Sequence, residues 1–185
     1  MEIVDNYIDQ EEFDKLYFQI ISPQSGSPII PTMGERGMQT LPWIYNSCID
    51  FREKDVGRFQ FVHTFYIKNT PTSQSINILN PILEKIDPVS IFRIKANLLT
   101  RTSNIVENTF HTDMRGMSEE KSKQWTTSIF YMNTNNGYTK FEDGTKVESI
   151  ANRMITFPAN MKHTGTSCTD EKIRVVINFN YYKEE

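Results

Sequence analysis

The sequence predicts a mainly β protein with flanking helices, built as a sandwich or jelly-roll barrel. Three observations carry that prediction. Short runs of alternating apolar and polar residues recur along the chain, turn signals separate them in the second half, and helical periodicity is confined to the first half. The length of 185 residues, 38% of them hydrophobic and 12% aromatic, suits one well-packed domain and not two. Twenty basic against 23 acidic residues give a formal charge of −3. That balance argues against a strongly cationic nucleic-acid binder, so nucleic acid is not an expected partner.

The elements follow in order. Asp9-Gln10-Glu11-Glu12 resembles a capping box with Asp in the capping place, opening a helix whose Phe13, Leu16, Tyr17 and Ile20 share one side. Ser22 to Pro42 carries four prolines and three glycines and reads as a long loop, either a lid or a surface loop. Phe59, Phe61, Phe65 and Ile67 alternate as a strand, with His63 on the same face as a hydrogen-bonded core residue or, less commonly, a ligand. Ser73 is placed to cap a helix running to about Ile86, broken or kinked at Pro81. From Ser90 to Thr100, Phe92, Ile94, Ala96 and Leu98 form an apolar face, and Arg93, Lys95 and Asn97 point the other way. That second face is half-exposed, or it lines a barrel interior and meets a ligand.

Met114 to Trp125 reads as a charged loop and Thr127 to Met132 as a strand. Asn135-Asn136-Gly137 and Asp143-Gly144 are turn signals. Short strands are expected around Lys146 to Ile150 and Arg153 to Phe157, and a long one from Ile173 to Tyr181. The acidic N-terminus lacks the pattern of a signal peptide, and no apolar run approaches the ~18 residues of a membrane span. Cys48 and Cys168 form no metal-type pair and read as reduced thiols of a cytosolic protein.

The stretch FHTDMRG contains one of only three histidines. On a strand, His111 and Asp113 at i and i+2 point to one face and can reach one ion. His163, in Met161-Lys162-His163-Thr164-Gly165, is a candidate third ligand. Two neutral imidazoles and a carboxylate on one face of an octahedron leave three positions open, the pattern of non-haem Fe(II) oxygenases. With no cysteine nearby, iron or manganese fits better than structural zinc. H-x-D recurs by chance in many proteins, so the surrounding sequence matters. On the last strand Ile173, Val175, Ile177, Phe179 and Tyr181 form one face and Arg174, Val176, Asn178 and Asn180 the other. An arginine pointing into a barrel needs a partner: a ligand carboxylate, an internal Asp or Glu, or a solvated edge.

Taken in order, these pieces resemble the 2-oxoglutarate/Fe(II)-dependent dioxygenases, in particular the prolyl-4-hydroxylase-like branch and its small phage or bacterial members. The pieces are His111 and Asp113, Phe130-Tyr131-Met132-Asn133, Gly137-Tyr138-Thr139-Lys140-Phe141, Asn152-Arg153-Met154-Ile155-Thr156-Phe157, His163-Thr164-Gly165 and Arg174. They span about Phe110 to Tyr182. The resemblance implies one domain over residues 1–185, with a helical and lid part to about residue 90 and a double-stranded β-helix (jelly-roll, cupin-like) barrel over about 90–183. It implies iron held by His111, Asp113 and His163, and 2-oxoglutarate anchored by Arg174 and Tyr131, with Asn178 as a helper. Asn97 is a further candidate for contact with cosubstrate or substrate. One departure is that Gly137-Tyr138 stands where the family has Gly-Gly.

The implied reaction uses Fe(II), 2-oxoglutarate and O2 to hydroxylate an unactivated C–H bond of a peptidyl or small-molecule substrate, releasing succinate and carbon dioxide. Met33, Met38, Met114 and Met117, in the two loops, would give an adaptable substrate wall or simply pack on the barrel. The alternatives are a non-catalytic barrel that binds a ligand or protein, and a cupin-type metal hydrolase or isomerase, which would have no use for Arg174 opposite the metal. No membrane partner is expected.

Overall fold

The structure, a computed structural model, describes residues 1–21, 41–49, 58–114 and 116–184. The expected loop at Ser22 to Pro42, with Met33 and Met38, therefore lies almost wholly outside the described residues.

Two antiparallel sheets form the body. The larger has the order β1 (Glu2–Val4), β9 (Arg153–Pro158), β6 (Thr126–Tyr131), β11 (Ile173–Tyr182), β5 (Ser90–Thr100), β3 (Gln60–Ile67) and β2 (Ile44–Asn46), with β4 (Thr70–Pro71) folded back on β3. The smaller has the order β10 (His163–Gly165), β7 (Asn135–Phe141) and β8 (Lys146–Ser149). β11 is central and pairs with β5 on one side and β6 on the other. Its alternation settles the layering. Val175, Ile177, Phe179 and Tyr181 pack with Ile94 and Ala96 of β5 beneath the helices, in one apolar cluster. Val176 turns the other way and joins Ile129, Tyr131, Ile155 and Phe157 against Phe141 and Val147 of the smaller sheet. The two sheets therefore face each other. Both faces of β11 are buried, which explains its long run of apolar residues.

The helices cover the outer face of the larger sheet. α1 (Gln10–Ile20) buries Phe13, Leu16 and Ile20, with Tyr17 at the margin. Asp9 stands at its N-cap, but its side chain makes no cap hydrogen bond, so the expected capping box does not form. Asn152, at φ 60°, pins the entry to this helix by binding both the N–H and the carbonyl of Ile8. Ser73 does not cap a continuous helix. A 3-10 turn at Ile76–Leu79 leads into α2 (Asn80–Ile86), and Pro81 sits in the first turn of α2, where its missing N–H costs nothing. Instead, the Ser73 hydroxyl binds His63 Nε2 at 2.8 Å, and His63 Nδ1 binds the Pro42 carbonyl at 2.9 Å. His63 is thus a hydrogen-bonded core residue.

Two further expectations change. Residues 114–125 contain a short helix, α3 (Glu119–Ser122), capped by the Ser118 hydroxyl. Asn135-Asn136-Gly137 is not a hairpin turn but the start of β7, with a bulge against β8. Asp143-Gly144 does turn, with Gly144 at φ 91°. Among the described residues, no helix is long and apolar enough to cross a membrane.

Candidate metal centre

The two histidines meet through the backbone. Residues 107–111 run beside β10, held by single bridges at Glu107–Thr166 and His111–His163. The His111 N–H donates to the His163 carbonyl at 2.9 Å, and the His163 N–H returns the bond at 3.0 Å. His111 and Asp113 are therefore not on the regular strand that the sequence predicts. The one bridge still sets the two imidazoles side by side, 5.0 Å between centroids.

Hydrogen bonds then fix each ring. His111 Nδ1 lies 3.0 Å from the Thr109 carbonyl, and His163 Nδ1 lies 3.1 Å from the Met161 carbonyl. A carbonyl can only accept, so both Nδ1 atoms carry the proton and both Nε2 lone pairs are free to bind an ion. His163 Nε2 is buried and has no hydrogen-bond partner among the described residues. Burial pushes the His163 pKa down, which keeps its ring neutral. Asp113 completes the set, with Oδ1 3.9 Å from His111 Nε2 and Oδ2 3.9 Å from His163 Nε2. Burial alone would raise the Asp113 pKa. The Arg93 guanidinium foremost, with the Asn180 hydrogen bond, outweighs it and holds the carboxyl far below its usual range. Two neutral nitrogens and one anionic oxygen, all within 4.8 Å of one another and one of them a buried orphan, fit a divalent transition-metal ion.

Arg174 shares the cavity with these three residues. It is 3% exposed, and its Nε donates to Ser149 Oγ at 2.7 Å while Nη2 reaches Thr139 Oγ1 at 3.4 Å. Its guanidinium lies 5.7 Å from the centre of the Tyr131 ring. No carboxylate among the described residues pairs with it, so the alternative of an internal Asp or Glu partner does not hold there. Burial pushes its pKa down, as for a cation short of counter-charge. Tyr131 does not line the cavity. It lies behind Thr139, donating its hydroxyl to Thr139 Oγ1 at 2.8 Å. Thr139 therefore accepts from both Tyr131 and Arg174, and neither bond uses its own hydroxyl proton. Asn97 and Asn178 line the cavity, with Asn97 donating to Asn178 at 3.4 Å and Asn178 to Asp113 at 3.3 Å.

Gly137 explains the smaller sheet's odd start. A Cβ there would lie 2.6 Å from Arg174 Cδ and 2.8 Å from both Asn135 Oδ1 and the Ser167 carbonyl. Its φ is not positive, so it is glycine for space and not for turn geometry. Gly137→Ala should crowd the Arg174 stem, Asn135 and the Ser167 backbone and lower the melting temperature; an unchanged melting temperature would show that these groups can give way.

Thr139 stands in the motif from Gly137 to Phe141 without a role legible there, and neither Ser149 nor the pairing of Arg93 and Asn180 with Asp113 is predicted by the sequence. The available signals were indirect: Arg93 stood on the polar face of its strand, and Asn180 shared a face with Arg174.

No family model matches the sequence, and no curated protein matches it. Solved structures match in shape. A prolyl hydroxylase of Trichoplax adhaerens, in complex with a hypoxia inducible factor oxygen degradation domain peptide fragment, aligns with a TM-score of 0.57 over 98% of this chain and 82% of that one, at 10% identity. A viral collagen prolyl hydroxylase from Paramecium Bursaria Chlorella virus-1, as its 2OG complex, aligns at 0.54 over 99% and 96%, with 12% identity. An oxidoreductase of the 2OG-Fe(II) oxygenase family from Burkholderia pseudomallei aligns at 0.51 over 78% and 74%, with 9% identity. The architecture is thus a double-stranded β-helix, the fold of these oxygenases, and the candidate metal centre lies between its two sheets.

Proposed function

We propose that the protein is a non-haem Fe(II)- and 2-oxoglutarate-dependent dioxygenase that hydroxylates an unactivated C–H bond of a peptidyl or small-molecule substrate. One observation carries the reading: a His-Asp-His cluster, with Asp113 and His163 buried and His111 half-buried, and a buried arginine without a carboxylate partner among the described residues open onto the same cavity. His111, Asp113 and His163 would hold the ion. Arg174 would take the distal carboxylate of the keto acid, with the Thr139 hydroxyl as a second donor and Tyr131 bracing Thr139 from behind. Ferrous iron supplies, when bound, the dioxygen chemistry that couples oxidation of the keto acid to succinate and carbon dioxide with insertion of one oxygen atom into the substrate.

The residues around it orient and exclude. Val176, Ile129 and Leu99 give the cavity apolar wall, which limits water near the reacting carbon. Asn97 and Asn178 offer amide groups to a polar ligand. Two of the solved structures of similar shape are prolyl hydroxylases, one bound to a peptide fragment, which favours a peptidyl substrate among the two classes.

The test is anaerobic addition of Fe(II) and 2-oxoglutarate to the purified chain. A metal-to-ligand charge-transfer band in the visible, followed on aeration by succinate formation, is the expected result. A folded, metal-loaded protein without that band would refute the assignment. Comparing host-cell proteins and metabolites by mass spectrometry, with active and His163→Ala protein, would then find the product as a gain of one oxygen.

A further inference from the structure

In the proposed site Asp113 is a ligand, and three side chains hold its carboxylate. An ionised carboxylate offers about four acceptor positions, two on each oxygen. On Oδ2, Asn178 Nδ2 donates at 3.3 Å and Asn180 Nδ2 at 3.1 Å. On Oδ1, Arg93 Nη2 donates at 2.9 Å. Three positions are filled, and the one left is on Oδ1, the oxygen nearer His111 Nε2.

The brace is itself held. Arg93 and Asn180 are cross-strand partners on β5 and β11, next to the bulge that follows Asn180. Arg93 Nε donates to Asn180 Oδ1 at 3.1 Å, and the Asn180 amide also donates to Thr127 Oγ1 at 3.0 Å. Arg93, Asn180 and the Asp113 carboxylate thus close a ring of hydrogen bonds. The planar fork of a guanidinium spans two acceptors at fixed angles, which an ammonium cannot do.

We propose that Arg93 is a positioning residue: with Asn178 and Asn180 it presents Asp113 to the metal through a single oxygen. This rests on the reading of His111, Asp113 and His163 as ligands. Its consequence is that three of six octahedral positions stay open, enough for the two oxygens of a keto acid and for dioxygen. Without Arg93 the Asn180 amide also loses the bond that holds it, so Oδ2 is loosened together with Oδ1, and the carboxylate could turn and chelate through both oxygens, closing one of those positions.

The experiment binds Mn(II) to wild type, Arg93→Met and Arg93→Lys, and counts exchangeable water ligands by electron spin-echo spectroscopy in D2O. Three waters are expected in wild type and one fewer in both variants. Arg93→Lys keeps the charge and most of the stem, so it answers the question even where Arg93→Met fails to fold. Loss of Mn(II) binding by folded Arg93→Met also supports positioning, because removing a nearby cation should by itself strengthen attraction for a divalent ion. Three waters in wild type and both variants would overturn the proposal and leave the metal site standing. Two waters in wild type would do the same. Failure of the wild type to bind Mn(II) would instead remove the reading on which it rests.

Discussion

Replacing His163 with alanine should leave a chain that no longer holds a divalent ion. In the proposed site His163 is one of three ligands, and its Nε2 is buried with no hydrogen-bond partner among the described residues. Loss of a residue that merely orients a ligand typically weakens metal binding by about 10- to 100-fold. Loss of the ligand itself should therefore exceed roughly 100-fold, which is measurable by equilibrium dialysis with Mn(II) or Co(II). Asp113→Ala should do the same, with an added cost: Arg93 would keep a buried-facing charge without its carboxylate. The His163 ring also packs 4.9 Å from that of Phe157, so His163→Ala loses packing as well. His163→Gln keeps more of that volume and separates folding from ligation. If a folded His163→Gln and a folded Asp113→Ala both bound the ion with wild-type affinity, the site would not be where these residues converge.

Arg174→Met should have the opposite profile, with metal binding retained and keto-acid binding lost. Truncating one partner of a buried, hydrogen-bonded charge pair costs about 2–5 kcal/mol, which corresponds to roughly 30- to 4,000-fold in affinity. The sign on stability is also informative. In the free protein Arg174 is a buried cation whose polar neighbours are two hydroxyls, Ser149 and Thr139. Replacing it with an apolar side chain of similar length removes an uncompensated charge, so the melting temperature of the free protein should hold or rise. On the proposed reading 2-oxoglutarate stabilises the wild type, and that stabilisation should vanish from the same variant. A variant that melted lower, yet still gained stability from 2-oxoglutarate, would show that Arg174 is structural and that the anion binds elsewhere.

The strands and the candidate ligands were readable to different depths. β5 and β11 could be read almost residue for residue, because a two-residue period is local and each has a continuous apolar face. His63 could be separated from the other two histidines because it sat within an alternating aromatic run, and the structure gives it two ordinary hydrogen-bond partners. Asn135-Asn136-Gly137 was misread because its turn chemistry is genuine but overridden: the glycine is there to admit Arg174, from a strand 37 residues away. The capping box failed for a related reason, since the start of α1 is fixed by Asn152 rather than by Asp9.

What the sequence determined by itself was therefore the periodicity of the sheets, the apolar faces and the short set of residues able to ligate an ion or bind an anion. What only the tertiary structure decided was their partnership. It settled that His111 and His163 exchange backbone hydrogen bonds across 52 residues, that Arg93 and the two asparagines fill three of the four acceptor positions of Asp113, and that Tyr131 reaches Arg174 through Thr139. The physical reason is range. Alternation and turn propensity act between neighbours in the chain, whereas a hydrogen-bond partner for a buried charge is chosen by whichever strand the folded sheets bring alongside it.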